Sequence, residues 1–425
     1  MSAEAQDSAT PDGPRASDAP SLLGRGVEQG IGDHFRAYLS KLRGGDMGAL
    51  PAIGGLIVLM AIFALANDKF LTERNIANLM TQAAPLVMLG MALVFVLLLG
   101  EIDLSAGVTF GVAMAVFVRT TQPGGLSWPV AFMLALAIGL AIGAFIGFFV
   151  AKVGVPSFVV TLGLFLGLQG VILMIIGAGG TYRVIPEPIK AIQNSNLPVW
   201  AGWLMLAIAL VLLLGVAMWD RWRRTRSGAP NPPVTIILAK LIGVALLGAF
   251  LVYFLNLDRG TNAHAVQGVP IVVPIVLVFV MIGTFVLDRT KYGRYLYAIG
   301  GNREAARRSG INVTLIRWSA FMVCSTIAVI AGVLSVSRIG SVDAASGRDI
   351  VLSGVAAAVV GGVSLFGGRG RLIYALVGAL VIAVIENGLG LLRLPAGATL
   401  AVSGGVLVLA ATIDALARRR NGQIT

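Results

Sequence analysis

The sequence predicts an all-α fold, a polytopic bundle of transmembrane helices, and three observations predict it. Hydrophobic residues make up 57% of the 425 and charged residues only 12%, against about 45–50% and 25% in soluble domains. Mean hydropathy is +0.89, and apolar runs reach about the 20 residues that cross a bilayer as a helix. Glycine, at 54 residues, exceeds the usual ~7% without the period of collagen or the polarity of a disordered tract. That composition suits helices packed closely in lipid.

Residues 1–46 are polar and rich in Ser, Asp, Pro, Gly and Ala, with no stretch resembling a signal-peptide core, and read as a disordered cytoplasmic tail. From 47 to 425 runs the transmembrane domain. About twelve spans are expected in it, at 50–66, 83–99, 105–119, 127–150, 157–177, 201–219, 234–254, 270–287, 316–337, 351–366, 372–392 and 395–416. Gly100 to Ser105 splits the second from the third, and 351–366 barely covers ~30 Å at 1.5 Å per residue. Either place reads as a broken or re-entrant helix. Of the 32 lysines and arginines, 21 fall on one side of this model and 9 on the other, with Arg15 and Arg25 in the tail. The richer side is cytoplasmic by the positive-inside rule, which puts both termini there. The net charge of +12 is then topology signal and attraction to anionic lipid, and nucleic acid needs no place among the partners.

Several function classes lack their residues. The lone Cys324 and the distant His34 and His264 supply neither a metal site nor a Cys/His nucleophile. No GK dipeptide, GxSxG or HExxH occurs, so no P-loop or hydrolase machinery is visible and no catalytic residue is expected. Gly139, Gly143 and Gly147, then Gly163 and Gly167, repeat every four residues and read as packing faces.

The chemistry-bearing anomalies are polar residues in apolar surroundings. GEIDLSAG at 100–107 places Glu101, Asp103 and Ser105 between two apolar stretches. It is either a tight turn with solvated acids and a helix cap, or a broken helix lining a polar path. Glu386 and Asn387 interrupt VIENGLGLL, as an interhelical hydrogen bond or a substrate contact. Proton coupling through Glu101, Asp103 or Glu386 is a third reading, that of an ion-coupled secondary transporter. The connection 288–315, which reads DRTKYGRYLYAIGGNREAARRSGINVT from Asp288 to Thr314, carries a punctuated short helix. Asn302 caps it, Glu304 lies in its first turn, Arg307 and Arg308 in its last, and Gly310 stops it. A helix this short needs neighbours, which suits a connector docking into a partner's groove.

Together GEIDLSAG, GRYLYAIGGNREAARRSGIN at 293–312, VVGGVSLFGGRGR at 359–371 and ENGLGLL at 386–392 resemble the permease subunits of ATP-binding-cassette importers for monosaccharides, of the xylose and ribose type. The resemblance implies the ABC importer permease fold and the prokaryotic plasma membrane. It implies an extracytoplasmic sugar-binding protein, a permease homodimer, and an ABC ATPase subunit that holds ATP–Mg, with no cofactor on this chain. Residues Gly301, Asn302, Glu304, Ala305, Ala306, Arg307, Arg308 and Gly310 would match the coupling helix that the ATPase receives. Glu101 stands where most ribose-type members have Gly, and Val351 and Ser353 where many have an acidic pair. The extra hairpin at 220–270 resembles the longer xylose-type branch, and xylose is the expected sugar.

Overall fold

The computed structural model describes residues 48–184, 186–229, 231–260 and 265–395, and eleven more between 397 and 412. The tail expected at 1–46 and much of the span expected at 395–416 lie outside them. Contacts divide the chain into two compact units. Among the described residues, one holds those of 208–246 and the other those of 48–207 and from 247 onward.

The larger unit is built on helices that bury themselves against one another. Helix α1 is Leu50–Ala66, α2 Glu73–Leu97, α3 Ala106–Thr120, α4 Trp128–Gly147 with a π-helical end at Phe148–Val153, and α5 Ser157–Ile176. A strand, β1 (Thr181–Arg183), and helix α6 (Glu187–Asn194) follow. Two long helices form the hairpin around the expected insertion, α7 (Val199–Arg226) and α8 (Val234–Asn256). The chain continues as α9 (Val272–Arg289), α10 (Lys291–Gly301), α11 (Arg303–Arg308), α12 (Val313–Ile339), β2 (Ser341–Asp343), α13 (Ile350–Val360) and α14 (Leu372–Leu391).

Among the described residues eight helices are long and apolar enough to cross a membrane: α2, α4 with its π-helical end, α5, α7, α8, α9, α12 and α14. Three shorter apolar helices, α1, α3 and α13, occupy the spans expected from 50, 105 and 351. The most apolar window of α2 is 89% buried inside the chain and that of α5 only 17%. A helix apolar all round and bare of protein faces lipid or a partner, so α2 is core and α5 is rim. Helix α12 crosses α4, α2 and α3, and α14 packs on α13, α2 and α1.

Two boundaries differ from expectation for physical reasons. Helix α2 starts ten residues before the expected 83, because Thr72 caps it through Asn75 N–H and its polar first turns find partners. Helix α13 stops at Val360 because Gly362, at φ +109°, ends it as a left-handed cap. There Gly362 N–H donates to Val359 O and Val363 N–H to Ala358 O, the paired bonds of a glycine stop. A short antiparallel pair joins β1 to β2, with Tyr182 opposite Val342.

Candidate functional site

Helix α2 ends at Leu97, and the chain runs without helix to Ser105 before α3 begins. The acids in this break are buried. Glu101 is 7% exposed, and Asp103 and Ser105 are fully buried. Such burial demands partners. Glu101 Oε1 accepts from Arg317 at 2.6 Å (Nη2) and 3.0 Å (Nε), and from Arg303 Nη2 at 2.8 Å. Asp103 Oδ1 accepts from the N–H of Ser105 at 2.9 Å and from its hydroxyl at 2.5 Å, so Asp103 braces the turn into α3, whose N-cap residue Ser105 makes no side-chain cap bond of its own. The Cys324 thiol approaches the same carboxylate, while Oδ2 has no N–H or O–H partner. Ser157 and Thr161 of α5 hold the backbone of Ile102.

The second half of the junction is the connection after α9. Each of its helices opens on a side-chain cap: Thr290 for α10, Asn302 for α11 and Asn312 for α12. Asn302 Oδ1 accepts from Ala305 N–H at 2.9 Å. At the other end Gly310, at φ +81°, donates to Arg307 O while Ile311 N–H donates to Ala306 O, closing the helix with both bonds of a glycine stop. Glu304 pairs with Arg307 at 2.7 Å and Arg308 at 3.3 Å along one face. Ala306 is the one buried residue of α11; Gly301, Asn302, Glu304, Ala305, Arg307, Arg308 and Gly310 are all exposed. The short helix is therefore pinned by one side and bare on the other.

Three glycine-rich stretches, far apart in sequence, meet where α2 breaks. Leu98 O accepts from Gly368 N–H at 2.8 Å. A Cβ at Gly300 would collide with Leu98 O, and one at Gly367 would come within 2.7 Å of Gly100 N. Backbones this close leave room only for glycine. Tyr297 of α10 donates its hydroxyl to Gly370 O at 2.8 Å. Burial, and then the nearby Asp288, push that phenol up to about 12, so it stays a donor at any physiological pH. The end of α10, the break after α2 and the loop after α13 are thus one fastened block.

Glu386 and Asn387 lie elsewhere. Asn387 exchanges hydrogen bonds with Asn75 at 2.8 and 3.0 Å, an interhelical tie between α14 and α2. Glu386 accepts weakly from Ser353 at 3.5 Å, with Gln82 and Arg338 also facing it. Asn75 sits near one end of α2 and Leu97 at the other, about 33 Å apart at 1.5 Å per residue. The five polar residues expected along a solute path therefore form two groups at opposite ends of one buried helix.

Sequence reasoning missed the partners. Arg303 and Arg317 are 202 and 216 residues from Glu101, and Asn75 is 312 from Asn387. A signal existed for one of them: Arg317 is a charge in the first turns of an apolar span, which calls for a buried acid. Among the described residues no cluster of His, Cys, Asp and Glu is arranged to hold a metal.

Comparison with known proteins places this geometry. The family described as the branched-chain amino acid transport system permease component matches residues 75–230 and 242–411. The xylose transport system permease protein XylH of Escherichia coli K12 is 33% identical over 385 residues, covering 90% of this chain and 95% of that one. Its counterpart in Haemophilus influenzae is 33% identical over 381 residues, 88% of this chain and 98% of that one. The ribose import permease protein RbsC of E. coli K12 is 30% identical over 361 residues, 84% and 91%. No solved structure matches the chain. Both halves of the junction lie within the matched residues, and so do the apolar helices α4, α5, α7, α9, α12, α13 and α14: the chain belongs to this family of multi-pass membrane permease components of transport systems.

Proposed function

We propose that the chain is the permease subunit of a sugar importer of the ATP-binding-cassette class, with xylose as the first-choice solute and ribose or another monosaccharide next. In this reading an extracytoplasmic sugar-binding protein delivers the solute, two copies of the chain form the path, and a separate ATPase subunit binds ATP–Mg and drives it. The membrane is the plasma membrane of a prokaryote, with the junction on the cytoplasmic side, where the lysines and arginines concentrate. The sugar rests on the relatives' names and on chemistry: a neutral, hydroxyl-rich solute needs hydrogen-bonding groups and no fixed charge along its path.

One observation carries the proposal: an exposed, doubly capped two-turn helix fastened to a break in the most buried helix. Force applied to the bare face of α11 by a docked ATPase would reach Glu101 through Arg303, and the backbone of Leu98 and Gly100 through Gly300. Both routes are short and stiff, so α11 and the end of α2 would move together. Glu101 then serves as a fastening between the coupling helix and the break. Asp103 and Ser105 lie just deeper, and Glu386 and Asn387 at the far end of α2; these four remain the polar groups proposed to border the path. An ion-coupled carrier would need a carboxylate open to the ion, whereas Glu101 is engaged by two arginines.

The test is Glu304→Arg in the assembled transporter, reconstituted in vesicles with its ATPase and binding protein. The substitution reverses a charge on the bare face without touching the core. Uptake is expected to fall at least about tenfold while the chain keeps its melting temperature, and binding-protein-stimulated ATP hydrolysis is lost with it. Undiminished coupled uptake would remove α11 from the ATPase interface. Uptake abolished by a protonophore at constant ATP would replace the importer with the ion-coupled carrier.

A further inference from the structure

The smaller unit contains a cleft between the facing stretches of α7 and α8, with a volume of about 620 Å³, within the ~300–1,000 Å³ range of ligand sites. Its two halves differ in chemistry. Arg221, Arg224 and Lys240 line one half, with Asp220 as the one acid among the lining residues. Leu213 and Val244, farther along the two helices from the turn, are among the residues lining the other. Arg221 Nη1 donates to Pro232 O at 3.2 Å, which fixes one guanidinium at the mouth of the turn between the helices. Beside the cleft the exposed Trp219 and Trp222 pack ring to ring at 5.2 Å, and Arg226 lies 3.9 Å over Trp222. Tryptophan beside arginine at the end of an apolar helix marks the level of lipid headgroups.

We propose that this cleft binds an anionic phospholipid of the surrounding bilayer. The headgroup phosphate sits among Arg221, Arg224 and Lys240, and an acyl chain runs along Leu213 and Val244. The charge selects an anion, and the apolar half selects an anion that carries a hydrocarbon tail, which a nucleotide or inorganic phosphate does not. Guanidinium groups suit the acceptor because they hold phosphate oxygens through paired N–H donors. The site rests on the chain being a membrane protein and not on which solute it passes, so its failure would leave the importer reading standing.

Native mass spectrometry of the full chain in detergent, titrated with phosphatidylglycerol or phosphatidylcholine, tests it. The wild type is expected to retain phosphatidylglycerol about tenfold better, and the Arg221→Gln/Arg224→Gln/Lys240→Gln variant to lose that preference. Arg223→Gln/Arg226→Gln, which removes charge from the same helix end outside the cleft, should preserve it. Should the triple variant fail to fold, Val244→Trp fills the apolar half with every charge in place, and the same loss is expected. Equal retention of both lipids by the wild type would overturn the site. So would equal losses in the cleft and control variants, which mean diffuse attraction, and displacement of the lipid by inorganic phosphate at matched concentration, which means a soluble-anion site.

Discussion

Two glycine ladders on neighbouring helices share a spacing and meet opposite fates. Gly139, Gly143 and Gly147 of α4 are buried and lie against the backbone of α12. A Cβ at Gly143 would sit 2.6 Å from both Met322 Cα and Phe321 O, and one at Gly147 would meet Trp318, whose O lies 2.8 Å away. Trp318 completes the seam by donating its indole N–H to Ala144 O at 2.9 Å. On α5, a Cβ at Gly163, Gly167 or Gly170 would meet nothing within 4 Å. Small residues four apart permit a close approach; they do not say what approaches. The first ladder is used inside the chain, and the second is left open for lipid or for the second copy that the importer reading requires.

The largest effect is expected where the ladder is filled. Gly143→Val sets two methyl groups against main-chain atoms of α12, which cannot rotate aside as a flexible side chain would. Overpacking of that kind costs about 1–3 kcal/mol, and a backbone obstacle belongs at the top of the range. The variant should lose most of its monodisperse peak in detergent chromatography and melt well below the wild type. A melting temperature within error of the wild type would mean that α4 and α12 slide apart freely, and the close seam between them would be wrong.

The same contrast between covered and open recurs on a single carboxylate. The side chain of Arg317 is 12% exposed and that of Arg303 50%, and both reach Glu101. Removing one partner of a buried pair costs about 3–5 kcal/mol. Because Glu101 keeps its second arginine, Arg317→Ala should fall below that, at roughly 2 kcal/mol. Arg303→Ala removes a half-solvated partner and should cost about 1 kcal/mol or less. Denaturant or thermal unfolding of both variants in one detergent reads the order directly. If Arg303→Ala proves the more damaging, the link to α11 matters more to stability than the link to α12, and the coupling block is tighter than its exposure indicates.

What the sequence made legible follows the range of the interactions. Helix α11 was readable because its cap, charges and stop all fall between Asn302 and Gly310. The break at 100–105 was readable as an anomaly, since charge between apolar runs is costly wherever it lies. Its solution was not, because Arg303 and Arg317 arrive only when the chain has folded. The start of α2 was misplaced because Glu73, Arg74, Asn75 and Asn78 interrupt the hydropathy while the helix continues through them, with Asn75 satisfied by Phe70 O and Asn387. No local signal separated the filled ladder from the open one, for both have the same residues at the same spacing.

The smallest effect is therefore the most informative. Gly167→Val makes in the open ladder the change that should break the filled one. With no atom within 4 Å of the new Cβ, the clash term vanishes, and replacing glycine inside a helix removes an entropic cost of a few tenths of a kcal/mol. In dilute detergent, where the chain is dispersed, its melting temperature should match the wild type to within about 0.5 kcal/mol of stability. In the assembled transporter the same side chain tests what covers α5. Loss of assembly without loss of monomer stability would put a second copy of the chain on that face. Unchanged assembly would give the face to lipid, and the second copy would have to be sought on another apolar surface.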